Sequence, residues 1–323
     1  MRKKEFLVFG FHMTRIYGEY RCPKQMLDAQ EYDGHLSIHD DQMAEDLGFS
    51  GAPIEGPTHF SQFVPLLYEV FGDVWFERGC ISAHYQNMVV DGEEVRVFAE
   101  PRGSHSDPIA IGAEKRDGTP VLTGTASVGP DYGETEIDHR LARLKPSEQL
   151  VILAELRVGQ QGAANPEDVI MDFGQHMGPM YPFSLNQKLA KITEKHPYYT
   201  NLDNPWGRPI IPLEMVSVLT QYSSGSAGFR SRGPAIGLFA GQEIRLINGP
   251  LFVNHPYQLE REIVALSESR RTESNWIKTS IFDAKSRELV AETILNSAVL
   301  KDSYADYATD AAALGKKLTI AGH

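Results

Sequence analysis

The sequence predicts an α+β protein made of two similar halves, each with a central helix followed by antiparallel strands. Its 323 residues, 41% of them hydrophobic, are enough to bury the cores of two domains. An apolar helical pattern followed by strand-like runs appears in the first half and again in the second. We therefore expect an N-terminal domain at 1–145, a linker at 146–165, and a C-terminal domain with a tail at 166–323, of which the alanine-rich part after Tyr304 is expected to be peripheral.

The first half contains a predicted strand, a polar loop with a short helix, a long apolar helix and four strands. Residues 5–11 alternate weakly in hydrophobicity, as a strand does. Asp40 is suited to cap a short helix at 41–47. Gly56-Pro57 opens the long helix, because proline is tolerated in the first position, whereas Pro65 predicts a kink or a late start. The apolar face of this helix comprises Phe60, Phe63, Val64, Leu67, Val70 and Phe71, and strands are predicted at 80–90, 94–100, 108–115 and 120–128.

The second half repeats this order. Phe9-Gly-Phe-His12-Met is matched by Phe173-Gly-Gln-His176-Met, and Tyr17 is matched by Tyr181 in the same register. Gly51-Ala-Pro-Ile54 is matched by Gly207-Arg-Pro-Ile210. These matches predict an internal duplication with about 150 residues in each copy. The second apolar helix carries Met215, Val216, Leu219 and Tyr222 on one face, and strands are predicted at 235–247, 257–268, 275–283 and 289–300.

Charge and cysteine content narrow the classes of partner. The net charge is −12, from 31 basic and 43 acidic residues without a basic run, which argues against nucleic acid or an anionic membrane as partner. No apolar run reaches membrane-spanning length, and the basic N-terminal segment lacks a signal cleavage site. Cys22 and Cys80 have no zinc-site spacing. We expect a cytoplasmic protein without a metal or another cofactor.

Two stretches of the first half resemble a known enzyme family. Ile38-His39-x-Asp41-x-x-Ala44-x-x-x-Gly48-Phe49, followed by Ala-Pro-Ile-x-Gly56 and the apolar helix, resembles the hydratase segment of the MaoC-like (R)-specific enoyl-CoA hydratases. The run Gly79–Val97 resembles the strand, turn and Gly-Asp/Glu strand of that family. The resemblance implies a hot-dog fold, in which an antiparallel sheet wraps one helix, and here a double hot dog. It also implies a hydro-lyase of fatty acid metabolism that acts on an enoyl or 3-hydroxyacyl thioester of CoA or a carrier protein.

The catalytic motif of that family, Asp-x-Asn-Pro-x-His, is altered in this chain. His39 matches the histidine, but the position five residues earlier is Gly34, and Asp33 is one residue out of register. Glu55-Gly56 stands where the family has His-Gly before the central helix. The resemblance therefore carries over His39 and leaves its acidic partner open.

Hydration of an enoyl thioester needs an acid/base pair and a donor that stabilises the enolate oxygen. We expect His39 to be the acid/base residue, helped by Asp33, His35 or Glu55. Backbone amides near Gly56 and Thr58, at the helix start, are the expected donors. His84, on the first long strand, is a further substrate-binding candidate, although alternation alone does not decide whether it points into the cleft or into solvent.

Alternatives remain open from the sequence alone. The lost aspartate fits a hot-dog enzyme reassigned to isomerisation, cyclisation or thioester hydrolysis, and it also fits a non-catalytic acyl-binding protein. His35, His39, Asp40 and Asp41 are metal-ligand residue types, but nothing fixes a geometry, so no metal site is expected. The partners expected are a small acyl thioester and, by analogy with hot-dog proteins, a second copy of the chain in a homodimer.

Overall fold

The computed structural model describes residues 15–31, 35–36, 39, 51–101, 107–145 and 149–316, with backbone alone at 35–36. The strand predicted at 5–11 and the short helix predicted at 41–47 lie outside the described residues.

The strands of the described ranges form one sheet. Ten of them follow one another along an antiparallel path, and a short further strand pairs in parallel with a strand of the second half. The strands are β1 (Ile16–Tyr17), β2 (His35–Leu36), β3 (Gly79–Tyr85), β4 (Val95–Glu100), β5 (Ile109–Lys115), β6 (Pro120–Val128), β7 (Glu167–Val169), β8 (Ala235–Leu246), β9 (Tyr257–Glu268), β10 (Thr272–Asp283) and β11 (Leu289–Leu300).

The strand order repeats between the halves, which confirms the predicted fold class. Along the sheet the order is β1-β4-β5-β6-β3 in the first half, followed by β8-β11-β10-β9-β7 in the second. The second block therefore has the order of the first block in reverse. The first strand after each central helix, β3 or β8, lies at the centre of the sheet. These two strands pair antiparallel, from Cys80 opposite Arg245 to His84 opposite Gly241. Two copies of one antiparallel sheet are thus joined edge to edge into a continuous surface.

Two central helices lie in the shared core. A 3₁₀ turn at Gly56–His59 leads into α1 (Phe60–Phe71), so the α-helix itself begins at Phe60. In the second half every residue of α5 (Leu213–Gln221) is buried, including the polar Glu214 and Thr220. Buried side chains of both halves belong to one hydrophobic cluster, so neither half has a separate core. The helices are α1 (Phe60–Phe71), α2 (Val74–Arg78), α3 (Glu136–Ala142), α4 (Leu185–Lys191), α5 (Leu213–Gln221) and α6 (Tyr307–Ala313).

The bounds of the predicted strands agree closely with the structure except at the start of β10, which is Thr272 and not residue 275, and at the end of β3. The strand predicted at 80–90 ends at Tyr85. The amides of Gln86 and Asn87 both donate to the Val121 carbonyl, and the chain then turns away from the sheet. Residues 89–90 pair instead with the segment before the first central helix, where the Ile54 amide donates to the Val89 carbonyl at 2.8 Å. This pairing holds the start of α1 beside the end of β3.

The segment predicted as a linker and the tail are both packed on the second half. Leu150, Ile152, Leu153 and Leu156 are buried in a smaller cluster with residues of the C-terminal sheet. The buried carboxylate of Glu273 accepts hydrogen bonds from the amides of residues 151–153 and from the hydroxyl of Tyr307 in α6. The expectation that the tail after residue 304 is peripheral is therefore wrong for α6, because Tyr307 bonds this carboxylate and Ala311 is fully buried.

Candidate active site

A cavity of about 1110 Å³ lies between the two halves. Its walls come from the start of the first central helix, the end of β3, the end of α5 with the loop that follows, and β8, β10 and β11. The lining is mostly apolar, with a few polar groups, as in sites for small molecules. It includes His39, Ile54, Glu55, Gly56, His59, Tyr85, Met180, Gln221, Arg261, Asn275, Ile277, Leu295 and Val299.

His39 lines this cavity, and the nearby backbone fixes its tautomer. Its Nδ1 lies 2.6 Å from the carbonyl oxygen of Pro53. Because a carbonyl oxygen only accepts, Nδ1 carries the hydrogen, and Nε2 is the basic nitrogen. Burial lowers the pKa of His39, while the bond to Pro53 partly opposes this effect. The imidazole is therefore neutral at neutral pH and suited to accept a proton.

Glu55 lines the same cavity, two residues after Pro53. The hydroxyl of Tyr181 donates to Oε1 of Glu55 at 2.8 Å, across the two halves of the chain. Burial raises the pKa of Glu55 to about 7, although Lys188 and Tyr181 lower it. A carboxyl group with such a pKa is present in both protonation states near neutral pH, so it can serve as an acid or a base.

A buried ion pair lies beneath the start of the first central helix. Lys188 of α4 pairs with Glu214 of α5 at 3.0 Å, and both side chains are almost fully buried. Ser61 donates to Glu214 at 2.9 Å, and Lys188 donates to the hydroxyl of Thr58 at 3.3 Å. Burial raises the pKa of Glu214, and Lys188 opposes this effect. The cluster therefore places a positive and a negative charge near Glu55, both of which act on its pKa.

Gly56 leaves room for an aromatic ring. A Cβ atom at this position would lie 2.5 Å from Cζ of Tyr85, so only glycine permits the observed packing. The Tyr85 ring also stacks on Phe60, with centroids 6.4 Å apart. The space left by the missing side chain of Gly56 is thus occupied by the ring of Tyr85.

Two other expected binding residues lie away from the cavity. Among the described residues Thr58 is absent from the lining; it is buried, and its amide donates to the Glu55 carbonyl at 3.1 Å. His84 faces the other side of the sheet from Tyr85, because successive strand residues point to opposite faces. Its Nδ1 lies 2.8 Å from the Ala240 carbonyl. Burial lowers the pKa of His84, and the charges of Arg140 and Glu136 in α3 also act on it.

The two remaining candidates are Asp33 and His35, and His59 is a further histidine in the cavity wall. Asp33 lies outside the described residues, and only the backbone of His35 is described, paired with Ala235. His59 lines the cavity, but burial lowers its pKa to about 4, and its Nδ1 lies 3.1 Å from Oε1 of Gln62. His59 is therefore neutral across the ordinary pH range.

His39 and Glu55, the two candidate acid/base residues in the cavity wall, both belong to the first half of the repeat. Ile54 and Ile211 make equivalent backbone bonds, to Val89 and Leu251 respectively, each at 2.8 Å. The structural match is therefore shifted by one residue from the sequence match, which aligned Ile54 with Ile210. In this register the second half has Pro212-Leu213 where the first half has Glu55-Gly56, so the carboxylate is not repeated.

Sequence reasoning did not single out Tyr85, Tyr181 or Lys188. Tyr181 and Lys188 reach the site from the other half of the chain, so no local spacing connects them to Glu55. The match between Tyr17 and Tyr181 was a signal at one of these positions, but it did not indicate a contact with Glu55.

In the described ranges, no three His, Cys, Asp or Glu side chains are grouped as a metal site would require. None of their helices is both long and apolar enough to cross a membrane.

Comparison with known proteins identifies the fold. No protein-family model matches the chain, and no curated protein sequence does so. RV0216 of Mycobacterium tuberculosis, described as having a double hotdog fold, is similar with a TM-score of 0.52 and 10% identity, over 87% of this chain and 96% of that one. A MaoC-like dehydratase matches with a TM-score of 0.46 and 14% identity, over 87% and 97% of the two chains. The peroxisomal multifunctional enzyme type 2 of Drosophila melanogaster matches with a TM-score of 0.40 and 11% identity, over 88% and 48%. The strand order and the first of these likenesses together show that the protein has a double hot-dog fold.

Proposed function

We propose that this protein is a hydro-lyase, a hydratase or dehydratase that acts on an enoyl or 3-hydroxyacyl thioester. The observation that carries the proposal is that His39 and Glu55 line one mostly apolar cavity at the start of the central helix. Glu55 would then replace the aspartate missing at position 34 of the family motif. Position 34 and Glu55 stand on either side of His39 in the sequence, so the proposal keeps an acid/base pair although the motif is altered.

The two groups have complementary protonation states for this reaction. In hydration, Nε2 of His39 takes a proton from the water that attacks C3, and protonated Glu55 gives a proton to C2. Negative charge passes through the thioester oxygen, which becomes an enolate oxygen before C2 is protonated. The imidazolium then returns its additional proton to the Glu55 carboxylate through solvent, and dehydration runs these steps in reverse.

The pKa directions support these roles. Hydration requires neutral His39 and protonated Glu55 at the same time. The lowered pKa of His39 and the pKa of Glu55 of about 7 make this combination abundant between the two values. The ordinary pKa of a glutamate lies below that of a histidine, so a protonated glutamate beside a neutral histidine would then be rare.

The test is to incubate the protein with trans-2-enoyl-CoA substrates of several chain lengths and to analyse the products by mass. Hydration adds the mass of one water to at least one substrate, and His39→Ala abolishes this reaction. His176→Ala is a matched control, since His176 is exposed, lies outside the cavity lining, and only accepts a bond from the Gly178 amide.

Other products would identify the alternative functions and contradict hydration. Release of free thiol would indicate thioester hydrolysis, and an unchanged mass with a moved double bond would indicate isomerisation. Binding of the acyl thioester without any product would indicate an acyl-binding protein.

A further inference from the structure

The hydroxyl of Tyr85 is an unsatisfied polar group beside the acid/base pair. It is buried and has no hydrogen-bond partner among the described residues. Buried hydroxyls in native proteins nearly always have a partner, so an unpaired one in a cavity wall needs an explanation. Tyr85 is the last residue of β3, and its ring lies between Phe60 and Gly56. Gly56 directly follows Glu55 in the sequence.

The start of the helix supplies fewer amide donors than the sequence suggested. Pro57 has no amide hydrogen, and the Thr58 amide is used in a bond to the Glu55 carbonyl. An enolate oxygen needs donors placed before the reaction begins. A side-chain donor fixed at the same position would meet this need.

The Tyr85 hydroxyl remains a neutral donor at working pH. Burial raises its pKa well above the usual value, and the nearby Glu55 carboxylate raises it further. The group therefore keeps its proton while Glu55 and His39 change theirs. It is suited to donate a hydrogen bond without taking part in proton transfer.

We propose that the hydroxyl of Tyr85 donates a hydrogen bond to the carbonyl oxygen of the bound thioester and stabilises the enolate oxygen during the reaction. This assignment rests on the proposed function and adds a substrate-contacting residue to it. Gly56 has a defined purpose in this arrangement, because its missing side chain allows the Tyr85 ring to stand at the helix start.

The test compares Tyr85→Phe with Tyr199→Phe. Tyr199 also has a buried hydroxyl without a partner among the described residues, but it lies outside the cavity lining. Each substitution removes one unpaired oxygen, and thermal unfolding of both variants checks that they remain folded. We expect Tyr85→Phe to lower kcat/KM for enoyl thioesters by roughly 10- to 1000-fold, and Tyr199→Phe to leave it unchanged.

A second measurement reports on the enolate without turnover. Acetoacetyl-CoA forms an enolate that absorbs in the ultraviolet, and a donor at its oxygen favours that form. We expect wild type and Tyr199→Phe to increase this absorption on binding, and Tyr85→Phe to lose the increase. If Tyr85→Phe keeps the turnover and the absorption of wild type, the role of Tyr85 is overturned and the proposed function is not. A wild type that neither turns over enoyl thioesters nor binds acetoacetyl-CoA would overturn the proposed function and this inference with it.

Discussion

The hydroxyl of Tyr181 lies 2.8 Å from Oε1 of Glu55, and the two residues are 126 positions apart in the chain. A residue of the second half thus holds the carboxylate that the first half presents to the cavity. Lys188, also from the second half, acts on the same carboxylate by its charge. Among the described residues, the second half thus contributes a hydrogen bond and a charge to the carboxylate of the first half.

Removal of the Tyr181 hydroxyl should move the pH profile of the reaction. The bond from Tyr181 lowers the pKa of Glu55, so Tyr181→Phe should raise that pKa above its value of about 7. Because the proposed mechanism uses protonated Glu55 as the acid, the alkaline limb of kcat/KM should then move to higher pH. Tyr304→Phe is the control, since it removes a bond to the carboxylate of Asp310 outside the cavity lining. A limb that stays in place in Tyr181→Phe would contradict the role of Glu55.

Glu55→Gln should stabilise the folded protein at alkaline pH and leave it unchanged in acid. The pKa of Glu55 rises from 4.5 in the unfolded chain to about 7 in the folded one. Stability linked to this group is therefore fully present below pH 4.5 and is lost as the pH rises through 7. The loss is on the order of 3 kcal/mol, and glutamine avoids it. Urea unfolding of both proteins at pH 4 and pH 8 measures the difference, and equal stability at pH 8 would argue against a desolvated carboxylate.

Lys188→Met should strongly destabilise the protein. The substitution leaves Glu214 buried without its ion-pair partner, which typically costs about 3–5 kcal/mol. The double variant Lys188→Met/Glu214→Leu should recover most of this loss, because no buried charge remains. Lys24→Met is the exposed control: its pair with Asp91 is open to solvent, and its loss should cost about 0–1 kcal/mol. Denaturant unfolding measures all three, and a Lys188→Met variant as stable as Lys24→Met would contradict the prediction.

Gly56→Ala should displace the Tyr85 ring. The new Cβ would lie 2.5 Å from Cζ of Tyr85, so the ring or the helix start must shift, at a typical cost of about 1–3 kcal/mol. Gly237→Ala is the control within the same cavity wall, because its Cβ would meet its nearest neighbour at 3.9 Å. Thermal unfolding should show a loss for Gly56→Ala alone, and equal melting temperatures would show that the packing tolerates the methyl group.

Much of the fold could be predicted because its signals are local. The predicted bounds of β6, β9 and β11 agree with the structure, since each is a continuous run of strand-forming residues. The end of β3 was missed because residues 89–90 pair with the segment before α1, and this partner is distant in the sequence. The packing of α6 was missed for the same reason, since it depends on the distant Glu273.

The site could be predicted only in part. His39 and Glu55 were candidates by motif and by position, and the structure places both in one cavity wall. The pKa of Glu55 depends on burial and on Lys188 and Tyr181, which come from the other half of the chain. Residue type and spacing therefore indicated the groups, whereas their protonation states required the packed structure.

The central proposal is that Glu55 replaces the missing aspartate, and the hydration rate of Glu55→Gln tests it most directly. Glutamine keeps the size of the side chain but cannot exchange a proton. Glu69→Gln is the matched control, because Glu69 is exposed on α1, the helix that follows Glu55, and lies outside the cavity lining. With an enoyl thioester that wild type hydrates, we expect kcat/KM to fall by roughly 10²- to 10⁴-fold in Glu55→Gln and to stay unchanged in Glu69→Gln. A Glu55→Gln variant that hydrates the substrate at the wild-type rate would contradict the proposal.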